Sequence, residues 1–221
     1  MCGRFTLFDN AEKIEDEFEV EIQPDLCAKS YNIAPSQDCL VILTDEDRRV
    51  CTQMRWGLVP FWAKDSKIGY KMINARAETV DEKPSYKKPL KDRRCLVITN
   101  GFYEWKKEGA KTKTPYFIRL KNKRPFTFAG LWDRWDKEGE QMRTFTIITT
   151  DANEMMAQIH DRMPVILSGE GRYKWLDPDI KDAAELKQLL VPYPSEEMEA
   201  WPISTIVNSP RNNGTECIEP V

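Results

Sequence analysis

The sequence predicts an α+β fold: a single β-rich domain over residues 1–221, with a mostly antiparallel, barrel-like sheet and a few peripheral helices. Three observations carry this prediction. Short β-like runs fill the first two thirds of the chain, turn residues recur between them, and no repeat or Gly/Ser-rich linker divides the sequence. The runs are 4–8, 39–44, 51–58, 71–80, 95–105, 115–120, 125–132 and 143–150. Helices are fewer. Residues 9–19 (NAEKIEDEFEV) set Ile14 and Phe18 four apart, the spacing of an amphipathic surface helix. Residues 152–160 follow Asp151, with Glu154 three positions later in a capping-box pattern, and Pro164 bars much continuation. Further helices are expected over 170–176 and 181–191.

Composition narrows the function classes. Hydrophobic residues at 41% supply a substantial core, and 31% charged residues favour solubility. No run of about 18 apolar residues marks a membrane helix. The opening MCGRFTLFDN has no basic stretch followed by an apolar one, so no secretory signal is expected. A cytoplasmic location follows, where thiols stay reduced. The six cysteines form no Cys-x-x-Cys pair and the chain has one histidine, so no metal or other cofactor is expected.

The net charge of −3 conceals an asymmetry. Residues 51–124 hold 19 basic and 7 acidic side chains, whereas residues 1–50 hold 5 and 12, and residues 125–221 hold 9 and 17. Such a basic middle segment fits either a phosphate-binding face or a set of solvated loops and strand edges at 83–94 and 106–124. Trp56, Phe61 and Trp62 fall inside it, where aromatics beside Lys and Arg suit base stacking, although core packing explains Trp56 at least as well.

Four segments carry candidate chemistry. Removal of Met1 ahead of the small residue Cys2 leaves an α-amine and a thiol on adjacent carbons. Such a 1,2-aminothiol condenses with an aldehyde to an imine, and the thiol then closes a thiazolidine ring. Reference pKa values of about 7.7–8.0 for the amine and about 8.5 for the thiol leave both usable near neutrality. A retained Met1 would acylate the amine and block this route. In CLVITNGFYEW (95–105), alternation groups Glu104 with Leu96, Ile98 and Phe102. A carboxyl in that phase is either a buried, paired structural group or an acid–base with a raised pKa; a bulge at Gly101 would reverse the phase. Asn74, Arg76 and Glu78 share one face of KMINARAETV, lining either a site or the wet side of a sheet. His160, the only histidine, is either structural or the one imidazole available for a neutral-pH proton shuttle.

Seven motifs occur in order along nearly the whole chain: Met-Cys-Gly-Arg-Phe at 1–5, Tyr-Asn-Ile-Ala-Pro at 31–35, Trp-Gly-Leu-Val-Pro at 56–60, Ile-Asn-Ala-Arg-Ala-Glu at 73–78, Gly-Phe-Tyr-Glu-Trp at 101–105, Ile-His-Asp-Arg-Met-Pro at 159–164 and Val-Asn-Ser-Pro at 207–210. With these the chain resembles the SOS-response-associated peptidase (SRAP) family, which includes abasic-site sensors of bacteria and animals. The resemblance implies that Cys2 forms a thiazolidine with the sugar aldehyde of an abasic site in single-stranded DNA. Asn74 would orient the amine, Glu104 would act as general acid–base, and His160 would assist ring opening and the reverse reaction. Arg4, Arg76 and Arg162 would contact phosphates. Pro35 and Trp62 would form a wedge at a single-strand/double-strand junction. The implied partner is DNA; no membrane partner is expected, a monomer is assumed, and the cytoplasmic protein is expected to join the nucleoid when bound.

Two other function classes compete with covalent capture. A thiol peptidase, as the family name suggests, would use Cys2 against an amide and could process Met1 itself; a lyase-type activity is a related expectation. A non-catalytic single-strand binding module would use the basic segment and aromatics alone, and would bind normally after Cys2→Ala.

Overall fold

The computed structural model describes residues 2–46, 48–109, 112–137 and 139–221. Its strands are β1 (Phe5–Leu7), β2 (Ser30–Ile33), β3 (Asp38–Asp45), β4 (Arg48–Trp56), β5 (Asn74–Arg76), β6 (Arg94–Thr99), β7 (Gly101–Lys107), β8 (Lys113–Leu120), β9 (Phe126–Lys137), β10 (Glu140–Asp151), β11 (Arg162–Pro164), β12 (Ile166–Leu167) and β13 (Met198–Pro202). The α-helices are α1 (Ala11–Phe18), α2 (Pro84–Asp92), α3 (Glu154–Ala157), α4 (Glu170–Leu176) and α5 (Ala183–Lys187). Five strands close a barrel in the order β10–β4–β3–β6–β9 and back to β10. The β10–β4 pairing is parallel and the other barrel pairings are antiparallel. A second, antiparallel sheet runs β13–β8–β7–β1–β2. The β-rich α+β expectation therefore holds, with the barrel as its closed element.

Aromatic packing joins the two sheets. Phe5 of β1 lies 5.0 Å from Trp56 and 6.0 Å from Phe128, centroid to centroid, and Phe102 of β7 lies 5.8 Å from the same Phe128. Each such pair adds roughly 0.5–1.5 kcal/mol beyond the apolar area it buries. Trp56 is thus a core residue rather than a stacking surface; its Nε1–H donates to the Ile73 carbonyl at 2.9 Å.

The expected run 95–105 is two strands in different sheets. Asn100 turns the chain: its Oδ1 accepts from the N–H groups of Phe8 and Asp9 at 2.7 and 3.1 Å, and its own N–H donates to the Thr6 carbonyl. Gly101 is required there, since a Cβ would lie 2.3 Å from the Phe117 ring.

Other boundaries also shift. Of 71–80 only Asn74–Arg76 is strand, with 3₁₀ turns at Ser66–Lys71 and Ala77–Thr79, so Glu78 leaves the face it was expected to share with Asn74 and Arg76. The 152–160 helix shortens to α3, capped by Asn153, which accepts from Met156 N–H, and not by Asp151. The 181–191 helix shortens to α5, while α1 and α4 stand close to their expected places. Part of the lysine-rich stretch 83–94 forms α2 rather than loop. Pro84 opens that helix where its missing N–H has no partner to lose.

A close backbone crossing fixes the segment that leads into β5. Gly57 has φ +121°, and a Cβ on it would stand 2.7 Å from the Gly69 carbonyl oxygen. Both the conformation and the space favour glycine. Gly57→Ala is expected to destabilise the protein by about 2 kcal/mol or more, seen as a lower urea midpoint; an unchanged midpoint would contradict this account of the crossing.

Candidate active site at the amino-terminal strand

Strand β1 delivers Cys2 to the interior. Phe5 pairs with Phe102 and Thr6 with Gly101 in antiparallel register, and the Tyr103 N–H donates to the Arg4 carbonyl at 3.0 Å. Continuing this register sets Gly3 opposite Glu104. Alternation along β7 divides its side chains. Phe102 packs in the principal core, as does Cys2, whereas Tyr103 joins a separate cluster with Phe117, Ile203, Val207 and Cys217. Glu104 falls in the phase of Phe102.

Cys2 is fully buried and Glu104 is 2% exposed. Burial pushes the Cys2 thiol far above its usual range, and the nearby Glu104 carboxylate pushes it further. Burial also raises Glu104 to about 7; the Asp161 carboxylate adds to the rise, and a hydrogen bond from the Trp105 N–H opposes it. The pair is therefore a neutral thiol beside a carboxyl that is close to half protonated at neutral pH. Met1, whose removal the aldehyde chemistry requires, lies outside the described residues.

His160 follows α3 and faces the end of β7 across a cleft of about 600 Å³. Trp105, Lys106 and Lys107 form one wall; the 157–161 turn forms the other, with Asp151 and Ala152 also lining it. The imidazole Nδ1 lies 3.0 Å from the Arg162 N–H and 2.8 Å from Asp161 Oδ1. These contacts demand opposite states of Nδ1: the first needs a lone pair, the second a proton. Burial lowers the His160 pKa, which favours the neutral ring, and the Arg162 N–H donated to Nδ1 then assigns the ring proton to Nε2.

Asn74 lies on β5, in parallel register with Ile147 of β10. Both polar atoms of its carboxamide are buried without a hydrogen-bond partner among the described residues. A site of this kind holds unused donor and acceptor capacity, which is costly unless a ligand or water completes it.

The expected phosphate-contacting arginines differ in their surroundings. Arg76 is exposed. Arg162 is held by Glu78 at 2.7 and 3.0 Å, by Asp151 at 2.6 Å and by the Thr149 carbonyl at 2.8 Å. Arg4 donates to Asn32 Oδ1 and the Val207 carbonyl, and its guanidinium lies 6.0 Å from the Trp105 ring centre. Trp62 and Phe61 are 49% and 54% exposed on the segment between β4 and β5, and Pro35 is half-buried in the loop after β2.

Sequence reasoning missed several neighbours. Asn32 holds the carboxy-terminal loop by donating to the carbonyls of Val207, Ser209 and Asn212. Asp161, Lys106 and Lys107 belong to the cleft, and Tyr70 is an exposed aromatic beside Lys71. The Ile-His-Asp-Arg motif pointed to Asp161; nothing local pointed to Asn32.

Comparisons with known proteins identify the family and the fold. The family model for "SOS response associated peptidase (SRAP)" matches residues 1–210. The chain belongs to the SRAP family. It is 50% identical over 222 residues to the abasic site processing protein YoqW of Bacillus subtilis (strain 168), covering 99% of each chain. It is also 41% identical to the abasic site processing protein HMCES of Gallus gallus, across 87% of this chain and 66% of that protein. Among solved structures, a protein from Bacteroides thetaiotaomicron superposes with a TM-score of 0.90 at 32% identity, covering 100% of both chains. The SRAP fold thus accounts for both the barrel and the second sheet. Among the described residues no cluster of three or more His, Cys, Asp and Glu could hold a metal ion, and no helix is long and apolar enough to cross a membrane.

The raised Glu104 pKa has a thermodynamic consequence. The folded state holds this proton more tightly than the unfolded chain, so the associated stability is present below about pH 4.5 and is lost as pH rises through about 7. Relative to the wild type, Glu104→Gln is expected to gain up to about 3 kcal/mol between those limits. Urea unfolding of both proteins near pH 4.5 and near pH 8 measures the change; a difference independent of pH would contradict the assigned environment.

Proposed function

We propose that this protein captures the ring-opened aldehyde of abasic sites in single-stranded DNA. Cys2, made amino-terminal by removal of Met1, forms a thiazolidine DNA–protein crosslink that shields the lesion from strand scission. The observation that carries this reading is the buried Cys2–Glu104 pair beside a lysine-lined cleft. Relatives named as abasic site processing proteins support it.

The chemistry balances without a cofactor. The Cys2 amine adds to the aldehyde carbon to give a carbinolamine. Protonated Glu104 donates to the departing hydroxyl, water leaves, and a protonated imine remains beside the Glu104 carboxylate. The thiol sulfur then attacks the carbon of the protonated imine, the C=N electron pair falls back on the nitrogen, which keeps its N–H, and the thiol proton restores the Glu104 carboxyl. Aldehyde plus aminothiol thus becomes thiazolidine plus one water. A carboxyl near 7 suits both the donating and the accepting step.

The other side chains take supporting roles. Asn74 offers its free carboxamide oxygen to the amine and so orients the lone pair. His160, neutral with its proton on Nε2, serves ring opening of the sugar and the reverse reaction. Exposed Arg76 makes the phosphate contact most directly. Arg4 and Arg162 are already engaged within the protein, so they shape the strand's path from fixed positions. A thiol peptidase would need a thiolate at Cys2, and both burial and Glu104 oppose one. A pure binding module leaves the buried pair without a role.

Incubating the Met1-processed protein with single-stranded DNA carrying one abasic site is expected to give a band that survives denaturant and high salt. Cys2→Ala and undamaged DNA should give none. If protein with a confirmed amino-terminal Cys2 gave no such band, the capture reading would be overturned. In the same assay Glu104→Gln is expected to slow capture by on the order of 10²-fold or more. The wild-type rate should change slope near pH 7, and this inflection should vanish in the variant. An inflection that persisted in the variant would assign that titration to another group.

A further inference from the structure

The carboxy-terminal end of one face of β9 holds a single loop. Asp133, Trp135 and Lys137 stand two residues apart, so their side chains leave the same side of the strand. Each bonds the backbone of residues 61–64. The Phe61 N–H donates to Asp133 Oδ2 at 2.9 Å, the Trp135 Nε1–H donates to the Ala63 carbonyl at 2.9 Å, and Lys137 Nζ donates to the Lys64 carbonyl at 2.9 Å. Val59, Ala63 and Trp135 form a small buried cluster beneath. The loop so held presents Phe61 and Trp62 to solvent, with Lys88 Nζ 5.3 Å from the Phe61 ring centre.

Exposed aromatic rings on a loop ordinarily cost conformational freedom when they insert between bases. Here that freedom is removed in advance by three bonds to a rigid strand. Asp133 is the centre of the arrangement. It is 1% exposed, its Oδ1 accepts from the Arg134 N–H at 2.8 Å and pairs with the Arg93 guanidinium, and its Oδ2 takes Phe61. Arg93 in turn lies 5.6 Å from the Trp132 ring centre, which fixes the cation on the strand.

We infer that Asp133, supported by Trp135 and Lys137, is a positioning residue that holds the Phe61–Trp62 loop in the attitude needed to part a duplex next to the captured lesion. This rests on the reading of Trp62 as a strand-separating wedge, and extends it from the ring that touches DNA to the strand that aims it. Asp133→Asn tests the role. An amide offers one acceptor oxygen to three donors; the charged Arg93 takes it, and the amide NH₂ is left facing the Phe61 N–H.

The measurement compares capture rates on an abasic site in plain single-stranded DNA with those on 5′ and 3′ duplex junctions. A 2-aminopurine in the terminal base pair reports its unstacking. Wild type is expected to favour one junction and to unstack its terminal pair, and Trp62→Ala to lose both effects. Asp133→Asn is expected to lose at least about fivefold of the preference, together with the 2-aminopurine signal, with little change on plain single strands. Lys137→Met, which removes the outermost of the three bonds to the loop, should shift both readouts in the same direction by less, and it decides the matter if Asp133→Asn fails to fold. Variants that keep the wild-type preference while Trp62→Ala loses it would overturn the platform alone. A wild type without junction preference, or Trp62→Ala that keeps it, would overturn the wedge reading and the platform with it.

Discussion

Everything at the site depends on the antiparallel pairing of β1 with β7, which places the amino-terminal cysteine and a carboxyl in the same dry region. In water a glutamate is an anion and a poor proton donor at neutral pH. Taken out of water beside Cys2, its charged form is disfavoured, and its pKa rises to about 7. The same burial keeps the thiol protonated. Two ordinary side chains thereby gain the states that the proposed imine formation and ring closure need, and the thiolate a thiol peptidase would need is disfavoured. The remaining architecture can be understood as support for that pairing: the Phe5–Phe102–Phe128 aromatic contacts fasten the second sheet to the barrel, and the turn at Asn100 and Gly101 carries the chain between them.

The support extends to distant segments. Asn32 gathers three carbonyls of the carboxy-terminal loop and accepts from Arg4, two residues from Cys2. Arg162 is locked by Glu78 and Asp151, while its own N–H fixes the His160 ring. The catalytic candidates therefore sit on strands and on a bonded turn, and the aromatics expected to meet DNA sit on a loop fastened to β9. Positional precision of this kind matters for an addition reaction, because misplacing the reacting groups by about 1 Å can cost on the order of 10²-fold.

Some of this was legible in the sequence. Barrel strands with strong β composition, such as Asp38–Asp45 and Glu140–Asp151, lie close to the expected runs. Glu104 was rightly read as buried, although the alternation from Leu96 to Glu104 crosses a change of sheet. The inference survives because Phe102 and Glu104 share a face within β7 alone, and the two sheets face a common core. Strands of two or three residues, such as Ile166–Leu167, are too short to show a period. Helix α2 was hidden by its lysines and by Pro89. Asn32 and Asp133 were invisible because their partners lie far along the chain, and only the folded register brings them near. Roles for Asn74 and His160 came from family resemblance; the bare residues allowed a wet sheet face and a structural histidine equally well.

The central claim is that both nucleophiles of Cys2 end in one ring. The most direct test is intact mass spectrometry of the purified crosslink, followed by alkylation and peptide mapping. The account predicts protein without Met1 joined to the oligonucleotide with loss of one water, attached at Cys2, whose thiol no longer reacts with alkylating agents. A crosslink at any other residue, or one at Cys2 whose thiol still alkylates, would contradict it.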